Sequence, residues 1–250
     1  MISKNQLKYI RQLEQKKYRR REGVFVAEGT KVVGDLLQRY RPEAVFATAD
    51  WQAPAGITPQ LVTDDELRRI SFLQHPQQVL ALFPLPVSCK PSTVNCKPST
   101  PKSDLSLALD GVQDPGNLGT IIRIADWFGI STIICSEDTV DAWNPKVVQA
   151  TMGSIARVNI IYLNLPDFLD TLPADFPVYG TFLDGDNIYT QELTPNGLII
   201  MGNEGNGISE AVRSKVNRRL LIPDFHQGPT VDSLNVAIAT AITCSEFRRR

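Results

Sequence analysis

The 250-residue sequence predicts an α/β protein in two parts: a small mixed α/β domain, then a larger domain built on a parallel sheet. Three observations lead there. From residue 105 onward, short and almost wholly apolar runs alternate with segments of helical period, the pattern of strands covered by helices on both faces. A stretch rich in Pro, Ser and Thr, 87–104, interrupts the chain and has almost nothing to bury. The charge changes sign across it: residues 1–104 hold 16 Lys and Arg against 10 Asp and Glu, whereas 105–250 hold 10 against 17.

In order along the chain, 3–17 is expected to be helical, with Leu7, Ile10 and Leu13 on one face. The first 22 residues hold eight basic side chains against two acidic ones, and Lys16, Lys17, Arg19, Arg20 and Arg21 form the densest cluster. Such a segment is either a solvated basic helix or a contact for a phosphate backbone. A strand at 24–29 leads into an amphipathic helix through Val32, Val33, Leu36 and Leu37. A strand at 44–50 and a short helix at 63–71, begun by Thr63 with acidic residues in its first turn, come next. A strand at 79–86, stopped by two prolines, completes a domain of residues 1–86.

The connecting stretch 87–104 contains CKPST twice, at 89–93 and 96–100, and is read as a flexible linker whose repeat arose by slippage. The second domain, 105–250, should contain strands at 105–112, 131–135, 156–163, 178–184, 198–202 and 219–223. Helices are expected at 117–128, 145–152, 166–172, 208–216 and 234–247, the last capped by Ser233 and burying Leu234, Ala237, Ile238, Ala241 and Ile242.

Composition removes several classes of function. No apolar run reaches membrane-spanning length and the N-terminal segment lacks a signal-peptide core, so a cytoplasmic protein without membrane attachment is expected. Cys89, Cys96, Cys135 and Cys244 have no zinc-ligand spacing and only His75 and His226 to assist them, so free thiols and no metal are expected.

Open parallel sheets bind ligands beyond the carboxyl ends of their strands, and three polar segments fall there. In DGVQDPGNLGTIIRIADWFGI, 110–130, Pro115, Gly116 and Gly119 shape a turn and Asn117 can cap the helix. Leu118, Ile121, Ile122 and Ala125 are its buried stripe, and Arg123 lies off it, as a surface charge or as a reach toward an anion. In LIIMGNEGNGIS, 198–209, an apolar strand breaks into glycines around Glu204, which is a turn residue or a carboxylate that accepts hydrogen bonds or a proton. The order of those glycines is neither the dinucleotide fingerprint nor a P-loop, which disfavours a nucleotide-dependent enzyme. In LLIPDFHQGPTVDSLNVAIATAI, 220–242, Asp232, Ser233 and Asn235 crowd the entrance of the last helix.

Taken together in this order, NLGTIIRIADWFG, IIMGNEGNGIS and IP…SLNVAIATAI resemble the three motifs of the SpoU/TrmH family of S-adenosylmethionine-dependent RNA 2′-O-ribose methyltransferases, within the knotted SPOUT superfamily. FVAEGTKVVGDLL looks like that family's L30e-like substrate-binding domain, a less specific match. The resemblance implies a deep trefoil knot in 105–250, a homodimer, and no metal. It implies a methyl donor held around Gly202, Ile222, Leu234 and Thr181. Asn117, Arg123, Glu204, Ser233 and Asn235 are the implied functional residues. The nine residues between Pro223 and Ser233 exceed the family's usual connection, so no contact is carried over within 224–232.

On that reading the substrate is RNA, because the 2′-hydroxyl is the acceptor, and ribosomal RNA is preferred to transfer RNA. A non-catalytic RNA-binding or ribosome-assembly protein on the same fold is the rival class. A guanidinium is very hard to deprotonate, so Arg123 is assigned to holding a phosphate and stabilising alkoxide charge. Glu204 is assigned to orienting Arg123 or a water, with Asn117 and Asn235 shaping the loops.

Overall fold

The computed structural model describes residues 1–86, 104–226 and 233–249; the stretch 87–103 with both CKPST copies, and Asp232, lie outside the described residues. The first elements are α1 (Lys4–Gln12), α2 (Lys16–Glu22), β1 (Val24–Glu28), α3 (Thr30–Leu37), β2 (Ala44–Ala47), β3 (Gln60–Leu61), α4 (Asp64–Ile70) and β4 (Val79–Pro84). Then come β5 (Leu105–Leu109), α5 (Pro115–Trp127), β6 (Thr132–Cys135), α6 (Pro145–Ala150), β7 (Asn159–Tyr162) and α7 (Leu165–Asp170). The last are β8 (Val178–Asn187), β9 (Gly197–Met201), α8 (Glu210–Arg213), β10 (Arg218–Leu221) and α9 (Val236–Arg249). They form two compact units, the described parts of Met1–Thr93 with Asp141–Arg157, and of Val94–Val140 with Val158–Arg250.

In the first unit β4 lies antiparallel between β1 and β2, and β3 pairs parallel with β2. β3 has only two residues, too few to leave a period in the sequence. Ile10, Leu13, Val24, Val26, Phe46, Leu67, Leu80 and Leu82 fill the core. Thr63 and Glu66 close a capping box at the start of α4.

The helix expected over 3–17 is two helices. Leu13 is fully buried at the break, and Arg19 Nη1 turns back to donate to the carbonyls of Leu13 (2.7 Å) and Glu14 (2.6 Å). Arg19 Nη2 meets Asp141 at 2.5 Å, and the side chain is buried. This corrects the assignment of Arg19 to a basic RNA-facing cluster: its donors are turned inward to protein acceptors. Lys17, Arg20 and Arg21 stay exposed and Lys16 half-buried, with the Lys17 and Arg21 cations each 4.8 Å from the Tyr18 ring centre.

The segment 141–157, expected to continue the sheet alternation, belongs to this first unit. The Trp143 ring lies 4.6 Å from that of Phe25, Arg39 Nη1 donates to the Ala156 carbonyl at 2.9 Å, and Arg157 meets Asp35 at 3.2 Å. Ala156 falls in a short 3-10 turn, which is why β7 starts only at Asn159.

The second unit holds a six-stranded sheet of order β10-β8-β9-β5-β6-β7 with every pairing parallel. Its central strands β5 and β9 are almost wholly apolar and fully buried, because both faces are covered. Between β8 and β10 the register jumps: Arg219 faces Gly180, whereas Leu220 faces Asp186, so residues 181–185 bulge out of the ladder.

The last helix differs from expectation at its start and on its face. Asn235, not Ser233, caps α9: its Oδ1 accepts from the amides of Ala237 (2.9 Å) and Ile238 (3.3 Å). Val236, Ala237, Thr240, Thr243, Cys244 and Phe247 are buried, while Leu234 and Ile238 are exposed. Ala237 is buried as expected and Ala241 and Ile242 are half-buried; the two threonine hydroxyls satisfy themselves on the carbonyls of Val236 and Ala239, so an apolar-only periodicity missed them and misplaced Leu234 and Ile238. Arg248, near the end of α9, donates to the carbonyls of Phe128 and Gly129, closing the C-terminal end of α5.

Candidate active site

The carboxyl ends of β5 and β9 turn toward each other. Asp110 follows β5, its amide bonded to the Met201 carbonyl at 2.9 Å and its Oδ2 accepting from the Ser209 amide at 2.7 Å. Gly111, at φ 74, then reverses the chain into α5. Asp114, not Asn117, is the N-cap of α5: its Oδ1 accepts from the Asn117 amide at 2.8 Å. Asn117 is thereby left with its side-chain amide free for other partners.

After β9 the chain makes a tight turn closed by reciprocal backbone bonds between Asn203 and Gly207 (2.9 and 3.0 Å). Asn203 braces it: its Oδ1 accepts from the amides of Gly205 and Asn206, and its Nδ2 donates to the Gly111 carbonyl at 2.6 Å. A methyl group on Gly202 would lie 2.3 Å from the Gly207 carbonyl carbon, so the turn closes only over a bare α-carbon.

Glu204 stands on this turn. Its carboxylate accepts from Asn117 Nδ2 at 3.0 Å and from the amides of Gln113 and Asp114, both at 3.3 Å. Asn117 Oδ1 in turn accepts from Asn235 Nδ2 at 2.9 Å. The three motifs thus meet through their own side chains: Glu204 to Asn117 to Asn235. Among the described residues no bond joins Glu204 to Arg123, so Glu204 positions the start of α5 rather than the guanidinium. Arg123 is exposed, two turns along α5, and makes no hydrogen bond or ion pair among the described residues. Ser233 is exposed beside Leu234, which is 47% exposed although apolar. Thr181 on β8, and Gly202 and Ile222 just past the ends of β9 and β10, are half-buried; the Thr181 hydroxyl points to the Ile200 carbonyl (3.5 Å) and Met201 Sδ (3.8 Å).

Partial burial pushes the Glu204 carboxyl up, but the bonds from Asn117 and from the Glu204, Gln113 and Asp114 amides outweigh it and hold the group below the usual range. It is therefore an ionised acceptor near neutral pH. A carboxyl depressed by folding contributes stability above its unfolded pKa, and that contribution is lost as pH falls through the folded value. Glu204→Gln is expected to cost less than about 1 kcal/mol at pH 7, since the site is exposed. The melting-temperature gap to the unchanged protein should close below the ordinary Glu range; a gap independent of pH would remove the charged role. Sequence reading missed Asp110 and Asn203, although each stands at a strand end beside a glycine, and Asp114, which precedes the proline that opens α5.

Burial raises the Cys244 thiol to about 12 against the opposing charge of Arg248, so it is no nucleophile. Among the described residues no His, Cys, Asp and Glu group is arranged to hold a metal ion, and no helix is long and apolar enough to cross a membrane.

Residues 104–245 match the model of the SpoU rRNA Methylase family, and residues 4–81 match the MRM3-like substrate binding domain. The chain is 32% identical to the 23S rRNA (guanosine(2553)-2'-O)-methyltransferase RlmP of Bacillus subtilis, over 98% of this chain and 97% of that one. It is 26% identical to human mitochondrial rRNA methyltransferase 3, over 93% of this chain and 69% of the relative. A solved structure from Porphyromonas gingivalis, assigned to the TrmH family of RNA methyltransferases, superposes with a TM-score of 0.85 at 42% identity, covering 100% of this chain and 99% of that one. The AdoMet-bound rRNA methyltransferase of Sinorhizobium meliloti superposes with a TM-score of 0.83 at 32% identity, covering 100% and 97%. With a family match across more than half its length and the three motifs joined at one sheet end, this chain belongs to the SpoU rRNA methylase family.

Proposed function

We propose that the protein transfers a methyl group from S-adenosylmethionine to a ribose 2′-hydroxyl in ribosomal RNA. The observation that supports this most is the Glu204–Asn117–Asn235 chain, which ties the three motif segments into one surface at the carboxyl ends of the strands. The donor supplies an electrophilic methyl group. Thr181, Gly202, Ile222 and Leu234 fit it: an apolar, hydroxyl-bearing, solvent-accessible set suits a purine ring and a polar tail. Arg123, unpaired among the described residues, holds the phosphate next to the acceptor ribose and stabilises negative charge growing on its oxygen. Asn117, Glu204 and Asn235 are positioning residues, and Ser233 flanks the donor side.

The same reading assigns RNA binding to 1–86, through Lys16, Lys17, Arg20 and Arg21 on an L30e-like domain, and the reaction to a knotted domain, 105–250. Knotting is supported by β10 pairing beyond β8 before α9 returns to α5. A homodimer is supported by the exposed Trp127, Leu234 and Ile238 on α5 and at α9, and a cytoplasmic location by the kinship with a bacterial ribosomal RNA methyltransferase.

Calorimetric titration with S-adenosylhomocysteine tests the donor site. Asn235→Ala removes the α9 cap and the bond to Asn117, so it should bind about tenfold more weakly than the unchanged protein. An unchanged protein that binds ribosomal RNA but no S-adenosylhomocysteine would favour the non-catalytic reading instead. Transfer itself is checked by alkaline hydrolysis of the product RNA, because methylation removes the internal nucleophile and that one position resists cleavage.

A further inference from the structure

The bulge 181–185 is held from outside by a cluster that none of the three motifs contains. Asp184 Oδ2 accepts from Arg213 Nη2 at 2.8 Å and Asp184 Oδ1 from Arg219 Nη2 at 2.5 Å. The same guanidinium groups lie over the Phe182 ring, 4.7 and 4.3 Å from its centre. Arg213 is the last residue of α8, the helix that follows the Glu204 turn, and Arg219 is on β10, which leads to Ile222. The bulge itself starts at Thr181, whose hydroxyl points to Ile200 and Met201.

Two glycines let the bulge seat. A methyl group on Gly180 would lie 2.6 Å from the Phe182 ring, and one on Gly185 would lie 2.6 Å from the Leu220 carbonyl carbon. Phe182 therefore folds back over Gly180, and Gly185 rests on the backbone of β10 where the register jumps. Desolvation pushes the Asp184 carboxyl up, but the Arg219 hydrogen bond and both guanidinium charges together outweigh it and hold the group below the ordinary Asp range. A single carboxylate thus ties the bulge to α8, which follows β9, and to β10 itself.

We propose that Asp184, Arg213 and Arg219, clasping Phe182, are positioning residues for methyl-donor binding: they fix the 181–185 bulge so that Thr181 faces the ends of β9 and β10. None of them touches the donor. This inference rests on the donor site proposed above. Holding the bulge in advance lowers the ordering cost of binding, so the loss should fall on donor affinity and not on the RNA.

S-adenosylhomocysteine is titrated into the full chain and into Asp184→Asn, Asp184→Glu and Arg219→Met, without RNA, at low and high salt. Asp184 is 63% exposed on its side chain, so Asp184→Asn is expected to fold with an unchanged melting temperature. It should bind about five- to tenfold more weakly, with Asp184→Glu recovering part of the loss. Added salt should weaken the unchanged protein toward the level of Asp184→Asn, because the pairs are screened. In turnover, KM for the donor should rise while kcat and KM for RNA stay the same. Equal affinity in all four proteins would overturn the clamp and leave the donor site standing. No binding even by the unchanged protein would overturn the donor site and the clamp with it.

Discussion

Arg123→Ala is expected to lower kcat by about 10²- to 10³-fold while S-adenosylhomocysteine binds as before. The side chain is exposed, off the buried stripe of Leu118, Ile121, Ile122 and Ala125, and without a protein partner among the described residues. Its removal therefore disturbs no packing, and the melting temperature should stay within the small range typical of surface substitutions. Arg123→Lys separates two roles. If the guanidinium held a phosphate and stabilised alkoxide charge, lysine would supply a point charge without the planar fork, and activity would be low at every pH with no new titration. If Arg123 took the proton, lysine would be the better base, and its activity would climb with pH toward the ordinary lysine range. A rising pH–rate profile in Arg123→Lys would sink the electrostatic assignment.

Gly202→Ala is expected to destabilise the second unit by on the order of 3 kcal/mol and to abolish transfer. The added methyl would meet backbone on every near side: 2.3 Å to the Gly207 carbonyl carbon, 2.4 Å to the Ile208 nitrogen and 2.6 Å to the Gly207 oxygen. No side-chain rotation relieves these contacts, so the Asn203–Gly207 bridge must open. Opening it carries Glu204 away from Gln113, Asp114 and Asn117. Gly205→Ala is the control within the same turn, since its nearest neighbour is Asn203 Oδ1 at 3.6 Å and its φ is not positive. Urea denaturation of both variants should show a large fall in midpoint for Gly202→Ala and little change for Gly205→Ala. Similar midpoints would remove the steric account of this glycine.

Much of this was legible in the sequence. Strands such as Leu105–Leu109, polar only at the buried Ser106, and Gly197–Met201 are almost wholly apolar, because a parallel sheet buried on both faces leaves no polar alternation to misread. Asn117, Glu204 and Asn235 stood out as polar residues at strand ends among glycines and helix starts. Who caps which helix was less legible. Asp114 and Ser233 each offered a cap as good as the neighbouring asparagine, and the choice was made by partners 87 and 118 positions away in the chain. Arg19 was illegible for a similar reason: five basic residues look alike until one of them finds Asp141, 122 positions on. The face of α9 was misjudged in part, at Leu234 and Ile238, because Thr240 and Thr243 bond to their own helix and then pack as if apolar.

The chain of bonds from Glu204 through Asn117 to Asn235 also fixes when the site can exist. Its two links close loops of 87 and 118 residues, and such non-local contacts are the last to repay their closure entropy during folding. A nascent chain that has exposed β5, α5 and β9 still lacks the third member until residue 235 and the helix behind it have emerged. Competence therefore arrives only once residue 235 and α9 have emerged, and a chain truncated before residue 235 should hold most of its sheet and none of its activity.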